Sequence, residues 1–237
     1  MRSHSFHPLR LTVVIVTILP GRYEEARLHA QGYRFVAGVD EAGRGALAGP
    51  VVAAAVILPS GLELPGLKDS KLLSPERREA LFEAIRGKAV AFGIGLVDER
   101  TIDALNILQA TLLAMAEAIA SLHPSPNFLL IDGGIPPPGI SNLGFQNADL
   151  SNPNSTIQIP QSKFYRAIPH GDRLYPSIAA ASIVAKVSRD RIMEEYDKDL
   201  PHYGFRRHKG YGTPEHLLAL ARYGPSPLHR KSFRGVR

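Results

Sequence analysis

Apolar residues recur along this chain with two different periods. Phe35 to Asp40 and Pro50 to Leu58 are nearly continuous runs of Val, Ala and Ile around a Gly-rich turn, which predicts neighbouring strands joined as a hairpin. Leu62 to Leu73 reads as a polar loop carrying Lys68-Asp69-Ser70-Lys71. Ser74-Pro75-Glu76 then supplies an N-cap, a proline at the first helical position and an acid in the first turn, so a helix is predicted over Pro75 to Arg86. Ala89 to Val97 is strand-like, with Gly93 and Gly95 either weakening it or admitting a close neighbour. From Asp98 the apolar positions Ile102, Leu105, Leu108, Leu112, Met115, Ile119 and Leu122 fall 3 or 4 apart, which predicts one long helix closed by Pro124.

Phe128 to Ile131 is short and wholly apolar, as a buried central strand should be, and it ends at Asp132-Gly133-Gly134. Pro136 to Asn154, rich in Pro, Asn, Ser and Gly, reads as an exposed, mobile insertion and not as a domain. Thr156 to Ile159 and Phe164 to Ile168 are candidate short strands. Pro176 to Lys198 reads as a helix whose small residues Ala179-Ala180-Ala181-Ser182 let it lie close to a sheet. Thr213-Pro214-Glu215 opens a last helix through Tyr223, stopped by Gly224 and Pro225. Strands alternating with helices give an α/β class: a mixed central sheet flanked by helices, with a C-terminal helical lobe.

Leu9 to Leu19 is apolar apart from Arg10, Thr12 and Thr17, but it is too short to span a bilayer and no small-x-small cleavage site follows it. Residues 1–32 are therefore read as a mobile extension whose removal costs little. The folded unit, residues 33–237 with the helical lobe included, is taken to begin near Tyr33. The chain of 237 residues carries 28 Lys+Arg against 22 Asp+Glu, a net charge of +6, and is most basic towards its end. That balance favours a polyanionic partner. Cysteine is absent, which excludes a disulfide framework or a thiolate metal site and fits a reducing compartment; a cytoplasmic location and no membrane partner are expected.

The candidate chemistry sits where strands end. Adjacent side chains on an extended segment point to opposite faces, so Asp40 and Glu41 can share a cation only if the strand is ending and the backbone turning. Gly43 and Gly45 permit that turn and a close approach of backbone amides to a ligand, and Arg44 offers a planar, permanently charged donor suited to phosphate. Asp132 lies at another strand end and Asp172 in a Gly-flanked turn before a helix, positions where an α/β sheet gathers its site. Hard divalent cations take oxygen ligands, and four such acids could hold two ions. Without cations, like-charge repulsion should raise at least one of their pKa values. Asp172 could instead act on the dipole of the following helix. Asp190 is a reserve ligand, although Ser188-Arg189-Asp190-Arg191 reads as helix-surface ion pairs. His202, His208, His216 and His229 lack the close pairing of a zinc site and read as phosphate contacts, helix-end cations or satisfied surface groups.

The run Val39-Asp40-Glu41-Ala42-Gly43-Arg44-Gly45-Ala46-Leu47-Ala48-Gly49-Pro50 resembles the signature of bacterial type 2 ribonuclease H, the ribonuclease HII family. Further blocks agree in order: Asp69-Ser70-Lys71, Leu130-Ile131-Asp132-Gly133, Gly171-Asp172, Ala179 to Arg191, His208-Lys209-Gly210-Tyr211-Gly212-Thr213, and Tyr223 to Phe233. The resemblance covers about Tyr33 to Phe233 and implies a ribonuclease H-like fold. It also implies that Asp40, Glu41, Asp132 and Asp172 bind Mg²⁺ or Mn²⁺ and cut the RNA strand of RNA·DNA hybrids. The implied two-metal mechanism has one ion activating water and the other stabilising the departing O3′, leaving 5′-phosphate and 3′-hydroxyl ends. It further implies incision 5′ of a single ribonucleotide in duplex DNA. Gly43, Arg44 and Gly45 would read the ribose 2′-hydroxyl, and Tyr211 would pack on the neighbouring deoxyribose. Lys71, Lys186, Arg206, Arg207 and Lys209 are candidate phosphate contacts.

Two features depart from the family pattern: the apolar N-terminal extension, and a connection of 40 positions from Asp132 to Asp172 that loosens the register assigning Asp172. The rivals are a metal-free nucleic-acid-binding protein on the same fold and a phosphohydrolase acting on small phosphoesters. The first is opposed by four carboxylates near phosphate, the second by the broad basic tail and the lack of a P-loop. A type 3 enzyme would need a substrate-binding domain that about 30 leading residues cannot form. A monomer is the default; a sliding-clamp partner and the preferred ion are not legible in these residues.

Overall fold

The Val and Ala runs pair as their pattern requires. The computed structural model of the chain describes residues 21–67, 70–137, 139–140, 145–147 and 163–236. The apolar run Leu9 to Leu19, Lys68 and Asp69, the candidate strand Thr156 to Ile159 and most of the Pro136 to Asn154 insertion lie outside them. Strands β1 (Val36–Ala42), β2 (Val51–Ile57) and β3 (Ala91–Val97) form an antiparallel meander. Strand β4 (Phe128–Asp132) joins β1 in parallel, followed by β6 (Lys163–Ile168) and the short β5 (Phe145–Asn147). The sheet order is β3-β2-β1-β4-β6-β5. β5 thus puts regular structure inside the stretch read as a plain insertion.

Every residue of β2 is buried, because the sheet is covered on both faces. Ala53, Ala55 and Ile57 face one core, shared with Leu112, Met115 and Ile119 of helix α4 (Ile107–Ala120). Ala54 and Val56 face the other, shared with Leu81, Phe82 and Ile85 of α2 (Pro75–Lys88) and with Ala180, Ile183 and Val184 of the 24-residue α5 (Pro176–Asp199). Glycines set how closely these layers approach. A Cβ at Gly38 of β1 would overlap the Ser177–Ile178 backbone of α5, and one at Gly93 or Gly95 of β3 would overlap the Ala118 or Ala114 carbonyl of α4. Gly93 and Gly95 therefore admit a close neighbour, the second of the two roles open to them in the sequence.

The single long helix predicted after Asp98 is two helices. Helix α3 (Glu99–Leu105) ends at Asn106, which takes φ 75° and whose side chain accepts N–H bonds from Leu108 and Gln109 to cap α4. Periodicity continues across this break, so the apolar pattern alone cannot see it. The packed body also reaches upstream of Tyr33. Helix α1 (Arg22–Ala30) buries Leu28, and its Glu25 accepts the backbone N–H and the hydroxyl of Ser177 at 3.0 and 2.6 Å. Glu24 of α1 binds Arg166 and the Tyr175 hydroxyl. The C-terminal lobe consists of α6 (Phe205–His208), α7 (Pro214–Tyr223) and the tail after them, packed on the end of α5. Among the described residues no helix is long and apolar enough to cross a membrane.

Candidate active site

β1 and β4 run in parallel, with Val39 opposite Ile131, so Asp40 and Asp132 emerge together at the same edge of the sheet. Glu41 is still in β1, paired with Ala53 of β2, and its carboxylate reaches theirs from the next position on the strand, without the turn expected from the sequence. Carboxylate oxygens of Asp40, Glu41 and Asp132 all lie within 4.8 Å of one another. Asp40 is buried, and its Oδ1 accepts the Glu41 N–H at 2.7 Å. Asp132 Oδ1 accepts the N–H of Gly171 at 2.6 Å, which anchors the Gly171–Arg173 turn to the end of β4. Asp172 in that turn is buried, with Lys71 Nζ 4.0 Å from its Oδ2. Three of the four predicted acids thus converge tightly, and Asp172 stands next to the residue that ties its turn to Asp132.

Burial pushes the Asp40 carboxyl well above the usual carboxylate range, and the neighbouring Glu41 and Asp132 charges add to the effect. Glu41 is also raised by burial, against the pull of Arg44, which pairs with it at 3.1 Å. A desolvated, oxygen-only set of acids in mutual repulsion suits a hard divalent cation and not zinc. The residues present therefore fit a Mg²⁺ or Mn²⁺ ion.

Beside the carboxylates opens a cleft of about 270 Å³ that takes in Glu41, the Gly43–Arg44–Gly45 turn, Lys71, Lys186 and Tyr211. Gly43 has φ +95°, and a Cβ there would collide with the Arg189 side chain, so glycine is required; a Cβ at Gly45 would meet nothing within 4 Å, which leaves the turn open to a ligand. Tyr211 is bridged through its backbone to Ala46, which ties the tyrosine segment to the glycine turn. Lys186 Nζ lies 5.7 Å from the Tyr211 ring centroid and is held by Asp190 at 2.7 Å. A second groove shares Lys186 and Tyr211 and continues past Arg206, Arg207 and Lys209. There Arg207 pairs with Glu215, and Lys209 pairs with Glu194 at 2.6 Å.

Two sequence expectations fail here. Arg189 is not a surface ion-pair residue: it is fully buried and donates to the carbonyls of Pro50, Ala48 and Lys209 at 2.9, 3.0 and 2.8 Å, with its guanidinium 5.4 Å from the Tyr211 ring centroid. The signal was present, because Ala181, Ala185, Arg189 and Met193 recur every fourth residue on the buried stripe of α5. His208, His216 and His229 are likewise buried, not surface groups. Sequence reasoning also missed Arg230, buried and donating to Gly49 O and Arg44 O at 2.9 and 3.0 Å, and Ser182, whose hydroxyl bonds Ser70 at 2.8 Å and supports the Asp40 carboxylate. Asp190 and Arg191 do form ion pairs, with Lys186 and with Glu79 respectively.

Comparison with known proteins bears on this geometry. The Ribonuclease HII family model matches residues 37–236. Ribonuclease HII of Geobacter sulfurreducens is 52% identical over 213 residues, 90% of this chain and 88% of that protein. Ribonuclease HII of Geobacillus kaustophilus is 52% identical over 217 residues, 91% of this chain and 74% of that protein. Among solved structures, ribonuclease H2 of Pyrococcus horikoshii superposes with TM-score 0.66 at 27% identity, over 86% of this chain and 95% of that one. The ribonuclease HII of Archaeoglobus fulgidus, solved as a complex with PCNA, gives 0.59 at 31% identity over 80% and 88%. The match spans the sheet, the carboxylate cluster and the C-terminal lobe alike, and the chain belongs to the ribonuclease HII family of nucleases.

Proposed function

We propose that this nuclease hydrolyses the RNA strand of RNA·DNA hybrids and also incises 5′ of single ribonucleotides embedded in duplex DNA, leaving 5′-phosphate and 3′-hydroxyl ends. The observation that carries the reading is the convergence of Asp40, Glu41 and Asp132 beside a cleft lined by the Gly43–Gly45 turn and Tyr211. Asp40, Glu41 and Asp132 would hold divalent cations, with Asp172 as the fourth ligand in a two-ion site. Mn²⁺ or Mg²⁺ bound there supplies Lewis-acid activation of water and of the departing oxygen.

The protein's own groups do the selecting. The open backbone at Gly43 to Gly45 lies where a 2′-hydroxyl can be read by N–H and carbonyl groups, the one feature that separates RNA from DNA at a single nucleotide. Tyr211 offers a flat face to the adjoining sugar, backed by Lys186 and Arg189. Arg44, Lys71 and Lys186 present cations to the phosphates on either side of the scissile bond, which fix register without reading sequence. We take the protein to act as a monomer on cytoplasmic nucleic acid.

The test is cleavage of a labelled DNA duplex carrying one ribonucleotide, with Mg²⁺, Mn²⁺ or EDTA, by the unmodified protein and Asp132→Asn. Metal-dependent incision 5′ of the ribonucleotide, lost in the variant while duplex binding persists, is the expected result. Duplex binding with no cleavage under either metal would overturn the reading in favour of a non-catalytic binding protein.

A further inference from the structure

Beside Tyr211 lie three buried histidines whose tautomers follow from the backbone groups and the neighbouring ring each nitrogen meets. A backbone N–H can only donate, so the bond from Ser226 N–H to His229 Nδ1 at 2.9 Å makes that nitrogen an acceptor. The proton of neutral His229 is then on Nε2, 3.0 Å from His216 Nε2, which must accept it. His216 in turn carries its proton on Nδ1 and donates it to the Tyr211 carbonyl at 3.0 Å. The same logic fixes His208: Gly210 N–H donates to its Nδ1 at 3.2 Å, so its Nε2–H donates to Tyr203 O at 2.8 Å. His208 and His216 stack with centroids 4.4 Å apart.

One directed line of hydrogen bonds therefore runs from Ser226 through His229 and His216 to the backbone of Tyr211. Both ends are tied to the glycine-turn segment, because Tyr211 is bridged to Ala46 and His229 to Ala48. Neutral rings carry the line from the Ser226 N–H to the Tyr211 carbonyl, whereas a second proton on His229 would displace the Ser226 N–H from Nδ1 and turn to the Ser226 hydroxyl, 2.8 Å away. Burial favours the neutral form throughout and holds His229 down at about 4. Desolvating three imidazoles is a costly way to fill a core, and apolar side chains would pack there without unmet polar atoms. What imidazole adds is a second donor of fixed direction on the Tyr211 carbonyl, beside the Thr213 N–H at 2.8 Å.

We propose that the His229–His216 relay is a positioning device for Tyr211, setting the ring against the sugar on the DNA side of the cut and thereby governing preference for ribonucleotide junctions over continuous hybrid. The proposal rests on the junction-incising function given above, and it can fail while that function stands.

The experiment compares cleavage of a duplex carrying one ribonucleotide with cleavage of a continuous RNA·DNA hybrid, by the unmodified protein, Tyr211→Ala, His216→Asn and His216→Gln. The Asn amide can occupy the Nδ1 position and keep the donor to Tyr211; the Gln amide reaches the Nε2 position and meets His229 but not Tyr211. The junction-to-hybrid ratio should fall about tenfold in His216→Gln, the loss of one positioning hydrogen bond, towards the Tyr211→Ala value. It should stay within about threefold in His216→Asn, although Asn leaves the larger void. Equal loss on both substrates in the two His216 variants, or a ratio unchanged in His216→Gln while Tyr211→Ala lowers it, would overturn the relay and leave the nuclease reading intact. An unmodified protein that does not cut at the ribonucleotide would overturn both. Should a variant not fold, ring-nitrogen NMR of the unmodified protein decides: Nδ1–H at His216 with Nε2–H at His229 supports the relay, and the opposite tautomer at His216 refutes it.

Discussion

Glu25→Gln should stabilise the protein at alkaline pH and change little at mildly acid pH. Glu25 is 9% exposed, and its Oε1 accepts both donors of Ser177 at the first turn of α5. Desolvation outweighs those two bonds and the nearby Arg22 charge, so the carboxyl is pushed up from 4.5 to about 7. An acid raised in the folded state keeps its proton where the unfolded chain has lost it. Stability is therefore full below about pH 4.5, falls as pH rises through about 7, and stays low beyond. At about 1.4 kcal/mol per pKa unit, roughly 3 kcal/mol is lost by pH 8, of which about 1 has gone by pH 5. Gln keeps an acceptor for Ser177 and does not titrate. The stability gap between variant and unmodified protein should widen by about 2–3 kcal/mol from pH 5 to pH 8, or roughly 5–10 °C in Tm for a chain of this size. His229 has the opposite sign: its depressed pKa makes stability rise with pH between about 4 and 6.5. That contribution is common to both proteins and cancels in the difference. Urea unfolding followed by circular dichroism at a series of pH values measures the gap; pH-independent separation of the two curves would refute the reasoning.

Deleting residues 1–32 removes α1 and exposes the pocket that buries Leu28, so a loss on the order of 2–4 kcal/mol is expected in urea unfolding; an unchanged midpoint would return the folded unit to a start near Tyr33. Arg189→Met leaves three backbone carbonyls without their guanidinium donor, and about 3 kcal/mol or more of stability should go, together with cleavage activity; near-native stability would show that water replaces the side chain cheaply. Tyr33 Oη is buried without a hydrogen-bond partner among the described residues, so Tyr33→Phe should hold or raise stability by about 1 kcal/mol, and a clear loss would reveal a hidden partner.

The elements legible in the sequence were those whose ends carry their own chemistry. Ser74 and Thr213 cap helices where they were expected to, with Oγ atoms accepting N–H bonds from Arg77 and His216, because cap and proline act within one turn and need no tertiary partner. The break at Asn106 was hidden because Leu105 and Leu108 keep helical spacing across it; an Asn directly before an apolar run was the only clue. Asp40 and Glu41 were legible because the strand end and the glycine turn sit side by side in the chain. Arg189 and Arg230 were not, because they bond backbone carbonyls brought in from segments far along the sequence, and the three histidines were not, because they bond backbone within five residues and one another while the packing that buries them is tertiary.

The same close packing that hides those groups also explains the site's electrostatics. Gly38 lets α5 touch β1 backbone to backbone, and the small residues of α5 carry that contact onward to Ser182 beside Asp40. Water is thereby excluded from one side of Asp40 at the sheet edge where Asp132 and Glu41 also arrive. Burial, with the repulsion of neighbouring carboxylates, raises the proton affinity of Asp40 and Glu41, so the packing that forms the sheet also favours a divalent cation there. A bulkier stripe on α5 would lift the helix, hydrate Asp40, lower its proton affinity and weaken the demand for the ion. On this argument the alanine run and Gly38 shape the proposed metal site as much as the acids that line it do.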